Sequence, residues 1–168
     1  HSNNSIKKEI IEMEPNSTDQ DIYSHYYYSP EMLFEDINKL SSELKNFSFN
    51  VILGIAKGGL IPTTLLAYKL KIRDLRTVQV YSYCDETNQQ GCITEINGCS
   101  PFSDSDYVLI VDDIADSGKT IQYVLDRYKI KNYKIATLIL KGHSKIIPDY
   151  FARKTDLWVD FFWEIQNK

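Results

Sequence analysis

The stretch VLIVDDIADSGKT, residues 108–120, decides how this chain is to be read. Residues 107–111 (YVLIV) form a short, unbroken apolar run rich in β-branched residues, the pattern of a strand buried on both faces. Three carboxylates follow within five residues: Asp112, Asp113 and Asp116. Two like charges about 5 Å apart repel by about 3 kcal/mol at an effective dielectric near ~20, so such crowding calls for a cation, a ligand or solvent. Ser117-Gly118-Lys119-Thr120 then opens a helix whose apolar face carries Ile121, Val124, Leu125 and Tyr128. The unpaired N–H groups of a helix start, with the hydroxyls of Ser117 and Thr120, suit a phosphate monoester, and Gly118 lets the backbone approach it.

Acids suited to hydroxyls beside a cradle suited to phosphate point to a ligand of the ribose 5-phosphate kind. Upstream, residues 51–55 (VILGI) repeat the buried-strand pattern and run into Ala56-Lys57-Gly58-Gly59, a glycine turn with one cation. Residues 61–70 read as a helix, 77–83 and 134–140 as further strands. Ser29-Pro30 opens another helix, with Leu33, Ile37, Leu40 and Leu44 along one face. Strand–helix alternation predicts an α/β fold: an open, mostly parallel twisted sheet flanked by helices. In such sheets ligands sit at the carboxyl ends of the strands, where both glycine-containing turns fall.

Two segments stand outside this alternation. Residues 84–106 are polar, rich in Gly, Asp, Ser and Asn, and too long for an ordinary connection, so they read as a functional or a disordered loop, in which Cys92-Ile93-Thr94 could form a short strand. Residues 1–25 are polar and read as a flexible tail, leaving 26–168 as a single domain. A length of 168 residues suits one such domain with its own core. The net charge of −4 argues against a nucleic acid polymer as partner, and no apolar run approaches the roughly 20 residues of a membrane span. Cys84, Cys92 and Cys99 are too few and wrongly spaced for a disulfide framework or a zinc site, and as free thiols they fit a cytoplasmic protein.

Two familiar motifs fail on spacing. The triphosphate-binding P-loop needs Gly five positions before Gly118, and position 113 is Asp. A response-regulator acidic pocket needs more chain than the 55 residues that follow Asp113. The string from the apolar strand through two acids, two spacers and a third acid to a small Gly/Thr loop instead resembles the phosphoribosyl-pyrophosphate signature of type I phosphoribosyltransferases. Ala56-Lys57-Gly58-Gly59 is similar to the family's pyrophosphate loop, in which the peptide entering the basic residue, here Ala56–Lys57, is often cis. Ser82-Tyr83 with the polar segment after it resembles the lid of the purine enzymes. Lys141 after a strand, Trp158-Val159 seventeen residues on and then Glu164 resemble the hood of bacterial xanthine-guanine phosphoribosyltransferases. Asp112, where mammalian-type enzymes carry Glu, points to the same branch.

The resemblance implies a purine-salvage enzyme transferring the 5-phosphoribosyl group from phosphoribosyl pyrophosphate to N9 of guanine, xanthine or hypoxanthine. It assigns Asp112, Asp113, Ala115, Asp116, Ser117, Gly118, Lys119 and Thr120 to the ribose 5-phosphate, with Asp116 as acid/base at purine N7. It assigns Ala56, Lys57, Gly58 and Gly59 to pyrophosphate, and Mg²⁺ to Asp112 and Asp113. Lys141, Trp158, Val159 and Glu164 read the base from a small hood of about 141–165, with a lid of about 84–106. Trp163 is expected to pack rather than touch ligand. Relatives suggest a homodimer or homotetramer. The rivals are a non-catalytic regulator of the same fold that senses phosphoribosyl pyrophosphate or nucleotide, and an enzyme for another base.

Overall fold

A computed structural model describes residues 24–83 and 92–164. The tail expected over 1–25 lies almost wholly outside them, as do Cys84 and the first part of the expected lid. The chain forms two compact units.

The larger unit, residues 30–156, is built on a six-stranded sheet. Its elements are α1 (Pro30–Leu44), β2 (Val51–Ala56), α2 (Leu60–Leu70), β3 (Asp74–Tyr83), β4 (Cys92–Asn97), β5 (Tyr107–Ala115), α3 (Lys119–Tyr128), β6 (Asn132–Leu140) and β7 (Tyr150–Lys154). The strand order is β4-β3-β2-β5-β6-β7, parallel except for β4. The open, mostly parallel sheet expected from the alternation is therefore present. Val51, Ile52, Leu53, Val108, Leu109 and Ile110 are fully buried, which explains why β2 and β5 read as unbroken apolar runs. Leu33, Ile37, Leu40 and Leu44 form the buried stripe of α1, as their spacing predicts.

From β2 the chain steps to β3 on one side, whereas β5, β6 and β7 build outward on the other. The order thus reverses between β2 and β5. At such a switch point the two connecting loops leave in opposite directions and open a crevice beyond the carboxyl ends of the strands.

Two readings are corrected, and one strand is added. Asp112 and Asp113 lie inside β5, which runs on to Ala115, and not in a loop after it. Residues 92–97 of the polar segment are a full strand, longer than the Cys92–Thr94 expected, paired antiparallel to β3 with Tyr81 opposite Thr94 and Ser82 opposite Ile93, whereas the rest of the described segment, 98–106, is not strand. β7 was not foreseen; Arg153 on it donates to Asp36 at 2.9 Å and to Glu35 at 3.0 Å, pinning α1 to that edge.

The smaller unit, described over 24–29 and 157–164, holds β1 (His25–Tyr28) and β8 (Trp158–Phe161), a parallel pair. His25 Nδ1 lies 2.7 Å from Asp160 Oδ2 across the pair. Trp163 stacks on Phe161 with centroids 4.5 Å apart, a packing role as the sequence suggested. Among the described residues no helix is long and apolar enough to cross a membrane.

Candidate active site

The crevice between β2 and β5 encloses about 260 Å³ and is walled by residues 55–58 on one side and 112–118 on the other, with Thr120 and Ile121 at the end. The two segments singled out from the sequence, more than fifty positions apart, therefore meet in one cleft.

The Ala56–Lys57 peptide is cis. Gly59 N–H donates to Ile55 O at 2.9 Å and Leu60 N–H to Lys57 O at 3.0 Å, folding the turn tightly back into α2. A methyl group on Gly59 would sit 2.4 Å from Ile55 O and 3.0 Å from Val111 O, so only glycine allows this loop so close to β5. One on Gly58 would sit 1.9 Å from Asp113 Oδ2. The Lys57 side chain is exposed at the mouth of this turn.

Asp112 and Asp113 are buried. Asp113 N–H donates to Asp112 Oδ1 at 2.8 Å. Burial first, and the neighbouring Asp113 charge second, hold the Asp112 carboxyl well above the usual carboxylate range. Burial also raises Asp113. A desolvated acid pair of this kind favours a bound cation or a retained proton.

Past the acids, Ala115 is buried and Asp116 and Ser117 are exposed. Gly118 takes φ 84°, a left-handed conformation natural for glycine, and caps α3. Lys119 N–H donates to Ser117 Oγ at 3.3 Å, and Thr120 lies in the first turn of the helix. His143 Nε2 lies 2.5 Å from Asp116 Oδ1, a contact that spacing gave no means of finding.

At the end of β6, Lys141 is buried and its N–H donates to Ala115 O at 2.9 Å. On the other edge, Ser82 lies exposed on β3, and Tyr83 ends that strand opposite Cys92. Tyr128 of α3 donates to Glu95 Oε1 at 2.6 Å and accepts from Cys99 N–H at 3.2 Å, so β4 is tied to α3. Burial and the Glu95 carboxylate push the Tyr128 phenol up to about 12. In the smaller unit Trp158 is 68% exposed, Val159 is buried, and Glu164 donates its N–H to Phe161 O at 3.0 Å.

The model of the phosphoribosyl transferase domain family matches residues 26–167. The chain belongs to this family. It is 30% identical over 122 residues to the xanthine-guanine phosphoribosyltransferase of Cereibacter sphaeroides, covering 71% of this chain and 72% of that protein. The purine phosphoribosyltransferase structure from Pyrococcus horikoshii superposes with a TM-score of 0.81 at 29% identity, over 86% of this chain and 97% of that one. The Helicobacter pylori xanthine-guanine-hypoxanthine phosphoribosyltransferase superposes at 0.70 with 26% identity, over 84% and 94%. The phosphoribosyltransferase fold thus accounts for the larger unit's sheet order and for its cleft.

Two carboxylates facing that cleft match the chemistry of Mg²⁺, which takes one or two protein carboxylates and leaves other positions to substrate oxygens and water. Among the described residues no third acid, His or Cys joins them in a cluster that could hold a metal by itself.

Proposed function

We propose that this phosphoribosyltransferase moves the 5-phosphoribosyl group of phosphoribosyl pyrophosphate onto N9 of a 6-oxopurine, giving the nucleoside 5′-monophosphate and pyrophosphate. The observation that carries this reading is the meeting of residues 55–58 with 112–118 in one switch-point cleft. Relatives named as xanthine-guanine phosphoribosyltransferases support the enzyme over the non-catalytic regulator. Residues 26–168 are read as one phosphoribosyltransferase domain, in keeping with the span of the family match.

The 5-phosphate sits on the start of α3, on the N–H groups and hydroxyls of residues 116–120, with Ala115 at its edge. Asp112 and Asp113 accept the ribose hydroxyls. Lys57 and the backbone of Ala56, Gly58 and Gly59 hold the diphosphate. Asp112 and Asp113 would hold Mg²⁺, which when bound would supply neutralising charge to the leaving diphosphate. Asp116 takes the proton from purine N7 as N9 bonds to C1 of the ribose. The resemblance supports Lys141 as donor to the purine 6-oxo group and, in the smaller unit, Trp158 as the stacking ring and the backbone near Val159 and Glu164 as partners of the 2-position. Ser82 and Tyr83 begin the lid, which keeps water from the oxocarbenium-like transition state. Exposed Phe34 on α1 and Tyr68 on α2 support a homodimer or homotetramer that covers them.

Incubation with phosphoribosyl pyrophosphate, Mg²⁺ and guanine, xanthine or hypoxanthine in turn, followed by ultraviolet spectra, tests the activity. Nucleotide formed from at least one base is the expected result, and none from any would overturn it. Asp116→Asn should then depress kcat far more than it raises the KM for phosphoribosyl pyrophosphate; equal loss in both would remove Asp116 from the acid/base role.

A further inference from the structure

The turn after β6 carries a side chain that no step above uses. Lys141 N–H donates to Ala115 O at 2.9 Å and Lys145 N–H to Ser117 O at 3.2 Å, so the backbone of 141–145 is laced onto the loop that carries Asp116. Ser144 N–H donates to Lys141 O at 3.1 Å and closes the turn, and Gly142 N–H is held by Asp156 Oδ1 at 2.8 Å. Ile146 lies so close to Gly118 that a methyl group there would sit 2.8 Å from Ile146 N. These bonds fix His143 at the outer corner of the turn, facing Asp116, with Nε2 2.5 Å from Oδ1. Asp116 Oδ2 makes no hydrogen bond to any described residue. Because an ionised carboxylate only accepts, Nε2 carries the hydrogen of this bond.

We propose that His143 is a positioning residue for Asp116: it anchors Oδ1 and so presents Oδ2 to the purine nitrogen. The inference rests on reading Asp116 as the acid/base. Both side chains are more than half exposed, and exposed pairs add little to stability, so the contact's worth lies in aim and not in holding the fold together. An aspartate on an exposed loop otherwise turns freely about its last torsion, whose wells are broad. Misplacing a reacting group by about 1 Å can cost ~10²-fold in rate. Two backbone hydrogen bonds on either side of His143 give the anchor a fixed base, which a lone exposed histidine would lack.

The test compares His143→Ala with His143→Gln, whose amide nitrogen can still donate to Oδ1 but cannot take up a proton. His143→Ala should lower kcat by about 10- to 100-fold with the KM for phosphoribosyl pyrophosphate and for purine within about 2-fold, and His143→Gln should recover most of that loss. An unchanged kcat in His143→Ala would overturn the proposal. So would a His143→Gln as slow as the alanine variant, since that outcome makes His143 a proton carrier. In the Asp116→Asn background His143→Ala should add no further loss. If Asp116→Asn itself keeps full turnover, the acid/base reading of Asp116 has failed. The pair is then judged without turnover: the ¹⁵N resonances of the His143 ring should move on Asp116→Asn, and an unmoved spectrum would refute the contact itself.

Discussion

Replacing Gly58 with alanine tests the geometry of the cleft at its tightest point. The added carbon would lie 1.9 Å from Asp113 Oδ2 and 2.7 Å from its Cγ, against the 3.4 Å at which ordinary contact begins, so something must yield by about 1.5 Å. The loop cannot give easily. Gly59, next in sequence, is already wedged against Ile55 O and Val111 O, and its N–H is bonded to the former. Asp113 therefore turns away, into a position costing about 0.5–1.5 kcal/mol in torsion, and its carboxylate leaves the cleft wall. A displacement of that size predicts a fall of about 10²-fold in kcat/KM for phosphoribosyl pyrophosphate, or about 2.7 kcal/mol of transition-state stabilisation. The melting temperature should move little, because no core side chain is lost. Initial rates at varied phosphoribosyl pyrophosphate, with a thermal melt as control, measure both. If the damage passes through Asp113, Gly58→Ala should cost nothing further once Asp113 is Ala. Wild-type kinetics in the Gly58→Ala variant, or full additivity with Asp113→Ala, would refute the reasoning.

Other outcomes follow from particular contacts. Arg153→Ala leaves the Asp36 carboxylate, whose side chain is only 5% exposed, without its guanidinium, and should lower unfolding free energy by about 3 kcal/mol in urea titrations. Tyr128→Phe removes the bonds to Glu95 and Cys99 and should cost about 1–2 kcal/mol in the same titration, with faster amide exchange along β4. Trp158→Ala should raise the KM for purine by roughly 5- to 150-fold, the equivalent of about 1–3 kcal/mol of stacking, with kcat nearly kept; an unchanged KM would remove Trp158 from the base site.

Most of 108–120 was legible in the sequence because its signals are local. A doubly buried strand must be apolar throughout, a helix start facing phosphate needs small residues and a glycine, and clustered acids need a reason. The turn at 56–59 was legible for a similar cause: Gly58 and Gly59 are needed where two backbones and a carboxylate crowd together. The edge strands were not. β1 (HYYY) and β7 (YFARK) carry no alternation, and each exists because a neighbouring strand offers it a ladder. β4 was half-hidden in a polar segment because an antiparallel edge strand exposed to water need not be apolar. Local sequence also stopped the β5 strand too early, at the first acid, although a parallel partner carries the pairing on through Asp112 to Ala115.

The sequence by itself determined the chemical inventory of this phosphoribosyltransferase: the acids, the small hydroxyl- and glycine-bearing helix start, the cation in its glycine turn and the alternation that makes a parallel sheet. Tertiary structure alone decided what faces what. Strand order reverses between β2 and β5, and that reversal brings residues 56–58 to 112–118. The lacing of the turn after β6 onto the loop of residues 115–117 sets His143 against Asp116, 27 positions away in the chain. Residue type is written in local propensity, whereas proximity between distant segments comes from the sheet order and from the packing of loops upon it, which no spacing along one strand encodes.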